Sequence, residues 1–135
     1  DHLEECGLPF FAGSLVLQQN VELTAEEAAA PHAVEFAMLY GNVLEVHVNG
    51  RQIATITRPD YVAEIPAGPL KAGANEIRLK LVTSLRNMLG PHHLDEGDCH
   101  AVGPVHFYKT AGGPFTAHGA RPWNDDFCFV RHGIR

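Results

Sequence analysis

Cysteine, tryptophan and long apolar runs are scarce in this chain. Of its 135 residues three are cysteine, Cys6, Cys99 and Cys128, and one is tryptophan. Three widely spaced cysteines cannot all pair and match no zinc pattern, which leaves free or buried thiols or one disulfide and an open compartment. No apolar run approaches the roughly 20 residues of a membrane helix, and no signal-peptide pattern opens the chain. Basic residues are also few, 10 Lys and Arg against 16 Asp and Glu for a net charge of -6. Phosphate-rich partners would be repelled, so neither nucleic acid nor an anionic membrane surface is an expected partner. Helical periodicity longer than a turn or two is missing, which excludes a helix bundle.

The remaining composition, 45% apolar and 19% charged, is that of a globular chain. A chain of this length makes one domain, residues 1–135, and buries roughly two-thirds of its unfolded surface without help from disulfides. It begins at Asp1 with no initiator Met, and is expected to be a piece excised from a longer polypeptide.

Strand periodicity dominates. In Asn75 to Val82, Ile77, Leu79 and Leu81 alternate with Arg78 and Lys80, the pattern of a strand with one face on a core. Ser14 to Leu23 places Leu15, Leu17, Val21 and Leu23 on one face and Gln18, Asn20 and Glu22 on the other. Thr24 with Glu27 forms a capping box for a single helical turn that Pro31 ends. A strand over Ala33–Leu39 and a turn at Tyr40 to Asn42 follow. Leu44 to Thr57 reads as a hairpin about Asn49-Gly50, because both positions tolerate positive φ. The odd spacing of Ile53 and Ile56 implies a bulge or face switch near Ala54. Val62–Ile65, Pro104–Lys109 and Asp126–His132 are further strands, with Phe127 and Phe129 sharing a face of the last. About eight short strands with turns between them predict an all-β fold, an antiparallel β-sandwich of the jelly-roll kind.

An ordered series of motifs runs through these elements: Gly7-Leu-Pro-Phe-Phe-Ala-Gly13, Val46-His-Val-Asn-Gly50, Gly73-Ala-Asn-Glu-Ile77, Ser84-Leu-Arg-Asn-Met-Leu-Gly-Pro-His-His93 and Trp123-Asn-Asp-Asp-Phe-Cys-Phe-Val130. Together they resemble the galactose-binding-like β-sandwich domain appended to bacterial glycoside hydrolases and related to the sugar-binding domain of β-galactosidase and β-glucuronidase enzymes. The V-x-V-N-G and G-x-N-x-I pieces mark the fold, and the rarer R-N-x-L-G-P-H-H loop marks a subgroup. The resemblance implies a non-catalytic domain that binds carbohydrate or packs against the catalytic domain of the same polypeptide. Members often hold a structural calcium ion, but no carboxylate cluster here can be assigned to one, and no other cofactor is expected.

Sugar recognition pairs planar donors and acceptors with an aromatic face under the C–H side of the ring. Arg86, Asn87, His92, His93 and Asp95 supply the polar half, Trp123 or Tyr61 the stacking face, and Asn124 lies beside Trp123. The alternative is internal: Arg86 and Asn87 bond loop carbonyls and the histidines pack on the neighbouring loop. A metal reading of His92, His93, Cys99 and His100 fits poorly, since adjacent histidines in an extended segment point to opposite sides. No G-x-S-x-G elbow or His-x-His pair is present. Paired acids such as Asp95, Glu96 and Asp98, or Asp125 and Asp126, read as solvated or capping groups before they read as a hydrolytic pair.

Overall fold

The computed structural model describes residues 2–94 and 124–135. Their order is β1 (Ser14–Leu23), α1 (Ala25–Ala28), β2 (His32–Glu35), β3 (Leu39–Tyr40), β4 (Val43–Val48), β5 (Arg51–Ile56), β6 (Val62–Ile65), β7 (Gly73–Val82), α2 (Arg86–Leu89) and β8 (Gly133–Ile134). The described residues are therefore all-β with two one-turn helices. The expected strand at Pro104–Lys109 lies outside the described residues. So do Asp95, Glu96, Asp98, Cys99, His100 and Trp123.

The strands form a four-stranded sheet in the order β1-β7-β4-β5 and two pairs, β2-β6 and β3-β8. Every pairing is antiparallel. Register sorts the side chains as periodicity predicted. Leu17 lies opposite Leu79, which lies opposite Val46, which lies opposite Ala54. Leu15, Leu81, Leu44 and Ile56 make a second apolar row on the same face. Between Val46 and His47 the register shifts so that Ile53 is passed over, which is the bulge that the odd spacing implied. Asn49 and Gly50 have φ of 49° and 80°, both positive as a primed hairpin turn requires.

The core draws on all three sheets. Leu39, Leu44, Val46, Ile56, Ala63 and Leu81 are buried together, with Phe36, Tyr61 and Ile134 packed against them. On the opposite face of the four-stranded sheet Lys80 bridges Glu45 at 3.1 Å, His47 approaches the same carboxylate at 3.2 Å and Arg78 meets Glu76 at 3.0 Å. Toward the β1 edge the core face is open, and Leu17, Val21, Val34, Ile77 and Leu79 line a groove of about 340 Å³.

Three expectations need correction. Strand β2 stops at Glu35 and Tyr40 belongs to β3, not to a turn. The chain changes partner there: Phe36 still donates to the Tyr61 carbonyl at 2.9 Å, whereas Met38 and Arg135 exchange bonds of 3.1 and 3.0 Å. The third correction is that Asp126–His132 is not a strand; only Gly133–Ile134 is. Its backbone groups are spent elsewhere, Val130 on the Asn87 side chain, Cys128 on the His92 carbonyl and His132 on the Glu4 carboxylate. A segment bonded to side chains and single carbonyls has no ladder to join.

Candidate functional site

The loop after β7 is rooted by one buried amide. Asn87, in α2, is 1% exposed. Its Nδ2 donates to the Val130 carbonyl at 2.8 Å and its Oδ1 accepts from the Val130 N–H at 2.9 Å. These two bonds replace the strand pairing that 126–132 lacks, and they clamp the last segment onto the loop. Arg86 donates through Nη1 to the Pro91 carbonyl. The Gly90-Pro91 peptide is cis and Gly90 has φ of 82°. A Cβ at Gly90 would lie 3.0 Å from His92 Nδ1, so glycine is needed both for the backbone angle and for the approach of the imidazole.

The two histidines face the final segment. His92 Nε2 donates to the Asn87 carbonyl at 2.8 Å, and His93 Nδ1 to the Asn124 carbonyl at 3.0 Å. Backbone bonds run alongside, from Asn124 N to the His93 carbonyl at 3.0 Å and from Cys128 N to the His92 carbonyl at 2.6 Å. Asn124 Oδ1 accepts from the Asp126 N–H at 2.9 Å, closing a tight turn. Among the predicted residues the structure thus brings together Arg86, Asn87, His92, His93 and Asn124. Tyr61 packs on the hydrophobic core with Phe36 and belongs to a different part of the molecule. Asp95 and Trp123 lie outside the described residues.

Sequence reasoning missed the aromatic surround. Phe10 meets His92 at 5.6 Å, Phe127 at 5.7 Å and Phe129 at 5.0 Å between ring centroids, each edge-on. Phe127 lies 5.5 Å from His92, 5.2 Å from His93 and 6.0 Å from Phe129, nearly parallel to the last. The signal was available in part, since Phe127 and Phe129 stand two residues apart. Nothing local links Phe10 to them.

Beneath this cluster Ser84, His132 and Asn87 form a chain with the outline of a nucleophile, a base and an orienting group. His132 is 4% exposed; its Nε2 lies 3.0 Å from Ser84 Oγ and its Nδ1 3.3 Å from Asn87 Nδ2. The network assigns the tautomer against that role. Val130 fixes the Asn87 amide, so its NH₂ points at Nδ1 and makes that nitrogen the acceptor. The proton then sits on Nε2 and is donated to Ser84, which also accepts from the Arg86 N–H at 3.3 Å. A serine that accepts a hydrogen bond from its histidine is not activated by it. Among the described residues no three His, Cys, Asp or Glu side chains gather as a metal site, and Cys6 and Cys128 are free thiols.

Burial holds the His132 imidazole below its ordinary value of 6.5, against a smaller opposing pull from Glu4. The unfolded chain therefore takes up a proton as pH falls through about 6.5 while the folded chain does not, and stability declines below that pH. Glu45 and Glu27 are held below 4.5, so their contributions are lost only at lower pH. Melting curves between pH 7.5 and 5 should show Tm falling with acid, with a shallower slope in His132→Gln. A parent slope that is flat or reversed contradicts this assignment.

No family model and no curated protein matches the chain. Solved structures do. A β-glucuronidase from Bifidobacterium dentium, complexed with coumarin-3-O-glucuronide, is 17% identical over 95% of this chain and 21% of its own, with a TM-score of 0.51. A rhamnosidase from Novosphingobium sp. PP1Y is 20% identical over 60% of this chain and 8% of its own, with a TM-score of 0.49. The chain thus spans about a fifth of the β-glucuronidase and less than a tenth of the rhamnosidase.

Proposed function

We propose that this chain is a galactose-binding-like jelly-roll domain serving as a non-catalytic accessory module of a longer glycan-active polypeptide, and that it binds carbohydrate where the loop of residues 84–94 meets residues 124–130. The observation that carries this reading is the fold likeness: 95% of this chain superposes on only 21% of a glycoside hydrolase chain, the relation of one domain to a many-domain enzyme. In this reading His92, His93, Arg86 and Asn124 frame the sugar, while Asn87 holds the loop from behind.

A second reading has its own observation. The polar groups Asn87, His92 and Arg86 all reach backbone carbonyls of the loop region, whereas Leu85, Met88 and Leu89 around α2 are exposed. A surface that satisfies its polar groups internally and displays apolar ones suits packing against the catalytic domain of the same polypeptide.

NMR titration of the labelled 135-residue chain with mono- and oligosaccharides at millimolar concentration separates the two, because shallow sites bind with dissociation constants up to about 1 mM. Saturable shifts confined to residues 84–94 and 123–130 are expected, with no turnover of aryl glycosides by the same sample. No shifts with any sugar would leave the packing role.

A further inference from the structure

Phe127 is 56% exposed and Phe10 48% exposed, although both rings are held by neighbours. Phe127 has His92 and His93 at 5.5 and 5.2 Å, Phe129 nearly parallel at 6.0 Å and Phe10 in a T-shaped contact at 5.7 Å. His92 and His93 are themselves tied to the Asn87 and Asn124 carbonyls. The ring is thus fixed in place while more than half of the residue faces solvent. Most exposed phenylalanines are free to rotate away from what they touch; this one loses little conformational freedom when a ligand covers it.

The geometry points to Phe127, flanked by Phe10, as the stacking face for a pyranoside ring, a role that the sequence suggested for Trp123 or Tyr61. This inference rests on the carbohydrate-binding reading above and adds the residue and the ligand class. An aromatic face attracts the polarised C–H bonds on one side of a sugar ring, so the ligand must present a contiguous C–H face. Tyr61 cannot join the same ring, because it packs on the core with Phe36.

The test uses the same titration on Phe127→Ala, Phe127→Leu and Phe127→Tyr, with methyl galactoside, methyl glucoside and glucuronate as probes and dispersed amide spectra as the check on folding. A pyranoside that saturates the parent chain should bind the Leu and Ala variants about tenfold more weakly and the Tyr variant about as well, since Leu keeps the apolar volume and only Tyr keeps the ring. If the parent binds and the Leu variant binds equally, the stacking role of Phe127 is overturned while the carbohydrate reading stands. If the parent binds none of the sugars, the carbohydrate reading itself fails and this inference with it.

Discussion

Asn75→Ala is expected to cost about 3–4 kcal/mol of stability, because a fully buried amide with four bonds leaves several backbone groups unpaired when removed. Asn75 is 0% exposed and stands at the start of β7. Its Oδ1 accepts from Lys71 N at 3.0 Å and from Asn49 Nδ2 at 2.8 Å; its Nδ2 donates to the Lys71 and Gly73 carbonyls at 2.7 and 2.9 Å. Asn49 in turn donates to the Pro69 carbonyl at 2.8 Å and accepts from Glu76 N at 3.0 Å. The two asparagines of the V-N-G and G-x-N-x-I motifs thus interlock, tying the β4-β5 turn to the loop before β7. Urea unfolding of the variant should show a lower midpoint with an unchanged slope, whereas Gln52→Ala, which removes an exposed bond to Thr55, should stay within about 0.5 kcal/mol of the parent. A loss below about 1 kcal/mol for Asn75→Ala would mean that water replaces the amide, and the interlock would not be what holds this end of the sheet.

The second large effect is expected at Asn87, where alanine should cost about 2–4 kcal/mol by orphaning both Val130 backbone groups. Aspartate should be no better. It keeps the acceptor for Val130 N but turns an oxygen toward the Val130 carbonyl, which needs a donor. The contrast matters for function. An asparagine that contacts sugar directly loses affinity on substitution with the fold intact, while the geometry at Val130 predicts lost stability and displaced amide shifts at Phe129, Val130 and Arg131 before any ligand is added. An Asn87→Ala chain as stable as the parent, with those shifts unmoved, would refute the clamp.

Much of the fold was legible because it is local. The alternation in Ser14–Leu23 and in Asn75 to Val82 states which face is apolar, and the observed register puts Leu17, Leu79 and Val46 on that face. Asn49-Gly50 announces its turn through two residues that accept positive φ, and the spacing of Ile53 and Ile56 announces the bulge. The capping box at Thr24 is complete, with Glu27 N donating to Thr24 Oγ1 at 3.2 Å and Thr24 N donating back to the Glu27 carboxylate at 2.7 Å. Each of these signals is contained within a few residues, where sterics and hydrogen bonding act without knowledge of the rest of the chain.

The end of the molecule that carries the candidate site was legible only as a list of residue types. Residues 126–132 have strand-like alternation, yet their partners are a side chain 43 positions earlier and a carboxylate 128 positions earlier; no pattern within the segment specifies them. Ser84 and His132 meet across 48 positions, and the network there, not the identity of either residue, decides which nitrogen holds the proton. Phe10 reads as part of an apolar entry until the chain folds and sets it against His92 and Phe127. By itself the sequence determined the two long strands Ser14–Leu23 and Asn75 to Val82 with their faces, the hairpin and its bulge, because periodicity and turn chemistry are local. Only the tertiary structure decided that Asn87 is a buried clamp, that Ser84 accepts a hydrogen bond from His132 and that Phe127 is the fixed, exposed ring, because burial and hydrogen-bond partners come from segments far apart in the chain.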